Sequence, residues 1–209
     1  MKLAIFGATG IVGIPLLEEA LAQKHDITVL VRSPEKIRAF SNQVNTVVGN
    51  YLDKDVRAQA LFGADAVLST IGPPLKRAPN QGEYTKAMTE LIDQMQGAEI
   101  KRIIALGGAG LRLGNEELAP ARAVMRLMLR LVGGKGYWDK EREHNTLCAS
   151  ELDWTILRPP QIVPASGEFI VTENGPAAFK ADPVQLARYI VACLENTATT
   201  RTAPFVATK

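Results

Sequence analysis

The chain has 209 residues, with 24 Lys plus Arg against 22 Asp plus Glu and a formal net charge of +2. That length suits one core better than two, so the expected organisation is a single domain over residues 1–209. A balanced charge supplies no field to hold nucleic acid or an anionic membrane, which leaves a small-molecule acceptor as the expected partner of a monomer or homodimer. The two cysteines, Cys148 and Cys193, show no CxxC or metal-type spacing, and no run of about 18 apolar residues occurs. This predicts a reduced, cytoplasmic protein with no metal site and no membrane segment. Met1–Val12 is apolar enough to suggest a leader, but it carries one Lys and is interrupted by Gly7, Thr9 and Gly10, so it reads as a buried first strand and its turn.

In chain order, short apolar runs rich in β-branched residues alternate with longer stretches of helical period. This is the pattern of an α/β, Rossmann-like, doubly wound parallel sheet in a three-layer αβα arrangement. Predicted strands are Lys2–Phe6, Ile27–Arg32, Asn45–Val48, Ala66–Thr70, Arg102–Leu106 and Trp154–Arg158, with one more near Pro204–Ala207. The first helix is predicted over Ile14–Gln23, since Pro15 fits only an opening turn and Leu16, Leu17, Ala20 and Leu21 share a face. Ser33-Pro34-Glu35 supplies an N-cap and a first-turn proline for a short helix, and Asp182-Pro183 repeats the device before a late helix ending near Glu195. Gly/Pro clusters at Gly72–Gly82, Gly107–Gly114 and Gly133–Gly136 read as loops. Over Pro120–Val132, the apolar Met125, Leu127, Met128, Leu131 and Val132 interleave with Arg122, Arg126 and Arg130. Core packing is the first reading of that face, with a lid over the substrate or a dimer contact as the alternative. His25 reads as a solvated turn residue and His144 as a helix-surface residue.

The informative segment is Gly7-Ala8-Thr9-Gly10-Ile11-Val12-Gly13, between the first strand and the first helix. There Gly7 allows a tight turn, Gly10 lets the backbone approach a pyrophosphate, and Gly13 lets helix and strand pack closely. The unpaired N–H groups and the dipole at the helix start favour the negative charge of a diphosphate. A dinucleotide site is therefore expected on this turn.

The GxxGxxG spacing resembles that of the short-chain dehydrogenase/reductase superfamily, in particular its atypical branch. That branch includes the NAD(P)H-binding, NmrA-like proteins and the flavin and biliverdin-IXβ reductases. Val31-Arg32-Ser33-Pro34, Leu106-Gly107-Gly108-Ala109-Gly110 and the run Ser150-Glu151-Leu152-Asp153-Trp154-Thr155-Ile156-Leu157-Arg158-Pro159-Pro160 extend the resemblance over most of the chain. Cofactor-binding positions implied by it, besides the turn itself, are Arg32, Ser33, Asn50, Tyr51, Thr70, Ile71, Gly72, Leu106, Gly107, Lys140 and Pro159.

Cofactor choice is read where the second strand ends. An acid there would bind ribose hydroxyls and select NAD(H), but Arg32 stands in its place, and a guanidinium suits the 2′-phosphate of NADP(H). NADP(H) is thus preferred, with NAD(H) as the other possibility. Lys36 and Arg38 follow closely and either reinforce the positive spot or simply face solvent. At the third strand end the resemblance implies an Asp beside the adenine; Asn50 replaces it and still donates and accepts. The fourth strand runs into Ser69-Thr70-Ile71-Gly72-Pro73-Pro74, whose short side chains leave room for the nicotinamide half.

For catalysis, the resemblance implies a Tyr, a Lys four residues later and a Ser nearby, with the Tyr giving a proton to the substrate carbonyl. Aligning on Ser150 and Trp154 puts Lys140 at the Lys position and Gly136 at the Tyr position, with Tyr137 only three residues before Lys140. The Ser is replaced by Gly107 and Gly108. Tyr137 is thus a proton donor or a packing aromatic, and Lys140 a ribose ligand or a solvated member of the run Asp139-Lys140-Glu141-Arg142-Glu143. A flavin or quinone needs no protein-borne proton at the moment of hydride transfer, so the incomplete relay favours an NADP(H)-dependent reductase of such acceptors. The alternatives are a non-catalytic NAD(P)H sensor like the NmrA-type proteins and, more remotely, a nucleotide-sugar epimerase or dehydratase.

Overall fold

The computed structural model describes residues 1–72, 82–117 and 120–209, and at residues 121, 132 and 133 the backbone alone. Its main sheet contains β1 (Lys2–Phe6), β2 (Asp26–Val31), β3 (Asn45–Val48), β4 (Ala66–Ser69), β5 (Arg102–Leu106) and β6 (Asp153–Leu157). These six strands run parallel in the order β3-β2-β1-β4-β5-β6. In such a sheet the order reverses beside the first strand, so the turns after β1 and β4 diverge and open a crevice at the strands' C-terminal ends.

The helices follow from where the apolar faces point. Successive residues of a strand face opposite sides, so Leu3 and Ile5 join a core with α1 (Gly13–Ala22) and α5 (Pro183–Ala192), while Ala4 and Phe6 join the other core. That second core holds residues of α2 (Lys54–Leu61), α3 (Glu83–Gly97) and α4 (Pro120–Cys148). Each fully buried Leu, Ile or Phe contributes roughly 1.5–3 kcal/mol, so these two apolar layers dominate the fold's stability.

Asp182 caps α5 as its sequence predicts, its Oδ1 accepting from the N–H groups of Val184 and Gln185. Ser33 differs: its side chain makes no cap, and Pro34–Phe40 is a 3-10 segment broken at Ile37. A second sheet, unforeseen in the sequence apart from its last strand, combines β7 (Gln161–Ile162), β8 (Phe169–Thr172), β9 (Lys180–Ala181) and β10 (Phe205–Thr208) in the order β7-β9-β10-β8. Two-residue strands carry no readable alternation, which is why they escape periodicity.

Helix α4 spans 29 residues, and its expected glycine loop is instead a single break at Gly134 (φ 52°, ψ −134°). The two halves are clipped together by Arg126, whose Nε lies 2.8 Å from Glu141 Oε2. The three interleaved arginines thus bind inward, Arg122 to Glu116 and Arg126 and Arg130 to Glu141. Core packing of the apolar stripe is correspondingly corrected: Leu127, Met128 and Leu131 are exposed, Leu131 by 77%. The side chain of Val132 lies outside the described residues.

Candidate active site

The first helix starts on a turn closed by Gly10 N–H donating to Gly7 O at 3.0 Å. Gly7 has φ +88°, a conformation that side chains rarely adopt, and a Cβ there would crowd Thr70 and Ile71 of the neighbouring β4 end. Thr70 Oγ1 in turn donates to Gly7 O at 3.1 Å, tying the two diverging turns together. Above Gly10 the space is open apart from Gly7 O, 3.3 Å from where a Cβ would stand. At the start of α1 the Ile14 N–H donates to Gly10 O at 3.2 Å and the Leu16 N–H to Val12 O at 2.9 Å, while Pro15 has none, so what this helix start offers an anion is chiefly the positive end of its dipole.

A groove of about 220 Å³ runs from this turn across the sheet's edge. Gly7, Thr9, Gly10, Arg32, Asn50 and Tyr51 lie on its wall, together with Thr70, Ile71 and Gly72. Arg32 is exposed, and its guanidinium makes no bond among the described residues, so its charge is free to act on the groove. Tyr84 is a wall residue that sequence reasoning missed; its ring stacks on that of Tyr51 at 6.2 Å. Ala8, Ile11, Val12, Gly13 and Ser33 are not on this wall. The Ala8 and Val12 side chains turn into the core, and Gly13 serves helix packing. Pro73 and Pro74 lie outside the described residues.

At Thr70 and Gly72 the groove meets a larger cleft of about 600 Å³. Its walls are mostly apolar, with Leu111, Met125, Leu129, Ile162 and Phe179 among them, and its floor is Leu106–Gly110. Pro159 does not line it: that residue is buried and its carbonyl accepts from Ala109 N–H, leaving Pro160 and Gln161 on the wall instead. Arg158 of the same motif binds Glu116 through two contacts of 2.9 and 2.8 Å and stacks 3.8 Å over Phe205, so it fixes the cleft's frame and does not enter it.

The second half of α4 supplies the polar groups. Lys140 Nζ stands at the junction of groove and cleft, 3.1 Å from Leu106 O and 3.4 Å from Ile71 O, and burial lowers its pKa. Tyr137 Oη lines the cleft but donates to Gly110 O at 2.5 Å, and burial, with Glu141 adding to it, pushes its pKa up to about 12. The two side chains share the site, yet the hydroxyl is already committed to the backbone.

A solvated charge run is the wrong picture of 139–143. Asp139 is buried and its carboxylate accepts from Tyr84 N–H and Thr85 N–H, both at 3.0 Å, which caps α3 and docks α4 against it. Glu141 is held by Arg126, and Glu143 is only 1% exposed. His144 is also 1% exposed, correcting its surface assignment, and burial drives its pKa down to about 3. His25 is half-buried, its Nδ1 3.4 Å from the N-terminal amine. The signal for these buried charges was the helical phase set by Tyr137 and Leu147, both core residues.

Among the described residues no group of His, Cys, Asp and Glu is arranged to hold a metal ion, and no helix is long and apolar enough to cross a membrane. The residues present fit a dinucleotide: an open glycine turn at a helix start, a guanidinium just after the second strand that makes no bond among the described residues, and a polar Asn50 on the same groove.

Comparison with known proteins agrees with this geometry. Residues 7–197 match the model of a family described as NAD(P)H-binding. An uncharacterized protein, YwnB of Bacillus subtilis (strain 168), is 32% identical over 114 residues, which is 53% of this chain and 48% of that protein, so the match spans about half of that relative. The solved structure of ChuY, an anaerobilin reductase from Escherichia coli O157:H7, superposes with a TM-score of 0.81 at 20% identity, covering 100% of this chain and 97% of that one. A short-chain dehydrogenase/reductase from Veillonella parvula DSM 2008 in complex with NADP has a TM-score of 0.78 at 17% identity, covering 99% and 94%. These structural likenesses establish a Rossmann-like fold, and the family match, over most of the sequence, establishes that the chain belongs to the NAD(P)H-binding family.

Proposed function

We propose that this protein is an NADP(H)-dependent reductase that passes hydride to a flavin-like or quinone-like acceptor in a reducing, cytoplasmic setting. The observation that carries the reading is the junction at Thr70 and Gly72, where a polar groove shaped for a dinucleotide opens into an apolar cleft of about 600 Å³. A cleft of that size suits a flat, largely apolar molecule. The glycine turn and α1 would hold the diphosphate, Arg32 the 2′-phosphate, Asn50 the adenine side and Lys140 the nicotinamide ribose. When bound, the reduced nicotinamide supplies the hydride; the chain's own work is to align the acceptor and exclude water.

Support for an acceptor that needs little protein-borne acid comes from Tyr137, whose hydroxyl is engaged by Gly110 O, and from Gly107 and Gly108, which stand where a relay serine would be. The same features favour the sensor as a second reading, in which cofactor binding alone matters. Both free cysteines accord with the reducing setting. The test is to follow NADPH absorbance with the purified protein against riboflavin, FMN and menadione. Acceptor-dependent consumption supports the reductase; tight NADPH binding with no consumption defeats it in favour of the sensor.

A further inference from the structure

Three buried polar atoms beside the junction have no hydrogen-bond partner among the described residues: Glu143 Oε2, Tyr51 Oη and His144 Nε2. A carboxylate 1% exposed and incompletely bonded is costly as an anion, since nothing replaces its hydration. It lies three residues after Lys140, on the neighbouring helical turn, so the two side chains are close on one face. Lys140 Nζ bonds two backbone carbonyls, Leu106 O and Ile71 O, and among the described residues no carboxylate. An ammonium with three N–H bonds would keep one for the cleft, whereas a neutral amine satisfies both carbonyls and keeps its lone pair. Either protonation state therefore fits the same geometry.

We propose that Lys140 and Glu143 form a buried dyad that holds one exchangeable proton near neutral pH, with Lys140 as its outlet to the acceptor cleft. This rests on the reductase reading above and replaces the tyrosine as the source of the proton. As the acceptor becomes electron-rich on receiving hydride from the reduced nicotinamide, an N–H bond of the Lys140 ammonium breaks and a bond to the acceptor anion forms. The Lys140 amine and the Glu143 carboxylate left behind then take up one proton from solvent, which restores the dyad. The two electrons travel with the hydride, and the dyad moves protons alone.

The surroundings favour shared ownership. Burial raises the Glu143 pKa, with Lys140 pulling it down and Asp139 pushing it up. Burial lowers that of Lys140, with Glu143 opposing. From α4, Asp139 and His144 also face the carboxyl, the His144 Nδ1 at 3.8 Å. From α3 comes Tyr84, and from the turn after β3 comes Tyr51, with Arg57 5.5 Å from the Tyr51 ring centre; burial raises the pKa of both tyrosines and Glu143 adds to it. Groups coupled this closely titrate as a pair. Glu143 acts through Lys140, so it is a positioning residue.

The deciding measurement uses the cofactor-free protein. With lysines carrying ¹³C at Cε, the Lys140 signal, identified by its loss in Lys140→Arg, is titrated between pH 5 and 10 in the unmodified protein, Glu143→Gln and Glu143→Asp. The dyad requires a midpoint below that of ordinary lysines, moved lower by about one pH unit or more in Glu143→Gln and partly restored in Glu143→Asp. An ordinary lysine titration, or a midpoint indifferent to both variants, overturns it. If Glu143→Gln does not fold, Glu143→Asp alone must still move the midpoint. In turnover with menadione, the alkaline limb of kcat/KM should shift with the midpoint, costing Glu143→Gln about tenfold at pH 8 and little at pH 6, one pH unit being a factor of ten. A limb that stays fixed while the midpoint moves overturns proton delivery. If the unmodified protein consumes no NADPH with any acceptor, the reductase reading and the delivery step fall together, and the titration still decides the dyad.

Discussion

The carbonyl oxygen of Gly7 occupies the space that a Cβ on Gly13 would need, and the carbonyl carbon of Ala8 would lie only 2.6 Å from that atom. Gly13 is thus required by packing, whereas Gly10, with Gly7 O at 3.3 Å as its sole near neighbour among the described residues, is required by what must lie above it. The two glycines should separate experimentally. Gly10→Val is expected to melt close to the unmodified protein yet lose at least about tenfold in NADPH affinity by calorimetry, roughly 1.4 kcal/mol. Gly13→Ala should instead lose stability, by about 1–3 kcal/mol as an overpacked core does. Full affinity in a folded Gly10→Val protein would remove the turn from the binding site.

Tyr137→Phe should divide stability from turnover. Its hydroxyl donates to Gly110 O inside the protein, so removal strands a buried carbonyl at a cost of about 1–3 kcal/mol, visible in urea unfolding. Steady-state turnover with menadione is expected to stay within about tenfold. A loss of about 100-fold or more, the scale of general acid catalysis, would return Tyr137 to the role of proton donor.

What the sequence made legible and what it hid follow from the range of the forces involved. The main sheet was readable because β1, β2, β4, β5 and β6 are largely buried with continuous apolar runs, and the mostly exposed edge strand β3 because Thr46, Val47 and Val48 are β-branched; the Asp182 cap was readable because it is local. Ser33 failed as a cap although its sequence context is as good, since Pro34–Phe40 coils as a 3-10 segment. The charged face of α4 could not be read because its partners are distant in sequence: Asp139 caps a helix starting at Glu83, and the Arg126–Glu141 pair spans the break at Gly134. Leu127, Met128 and Leu131 misled for the same reason, because ion pairs hold the arginine side inward. Of the candidate site, Gly7, Thr9 and Gly10 of the turn line the groove with Arg32, and the rest of the turn serves packing or faces away. Tyr84 reaches the groove, and Gln161 the cleft, from elements that no motif marks.

His144 should make stability depend on pH in the acid range. Its folded-state pKa is pushed down to about 3 by burial, from 6.5, so the unfolded chain takes up the proton first. The stabilisation is fully present above about pH 6.5 and is lost as pH falls towards 3, at up to about 1.4 kcal/mol per pH unit. His144→Gln cannot titrate, so its urea-derived stability between pH 6 and 4 should fall less steeply than that of the unmodified protein. Parallel slopes would mean that His144 takes up its proton equally in both states.

Cofactor preference is expected to rest on Arg32, which directly follows the second strand, lines the groove and has an unengaged guanidinium among the described residues. A charge-assisted contact with a 2′-phosphate contributes roughly 1.5–3 kcal/mol, and the exposure of Arg32 places it at the lower end, about tenfold in affinity for NADPH over NADH. Arg32→Asp should reverse the order, because a carboxylate repels the phosphate and accepts from the free ribose hydroxyls of NADH. The exposed charge also makes the preference sensitive to salt, largest at low ionic strength and shrinking as the Debye length contracts to about 8 Å near physiological salt. Fluorescence titration of both nucleotides into both proteins at two salt concentrations tests all three expectations at once. Equal affinity of the unmodified protein for NADH and NADPH at low salt, where the contact is strongest, would make Arg32 an ordinary surface residue and leave the ribose end of the groove without selectivity.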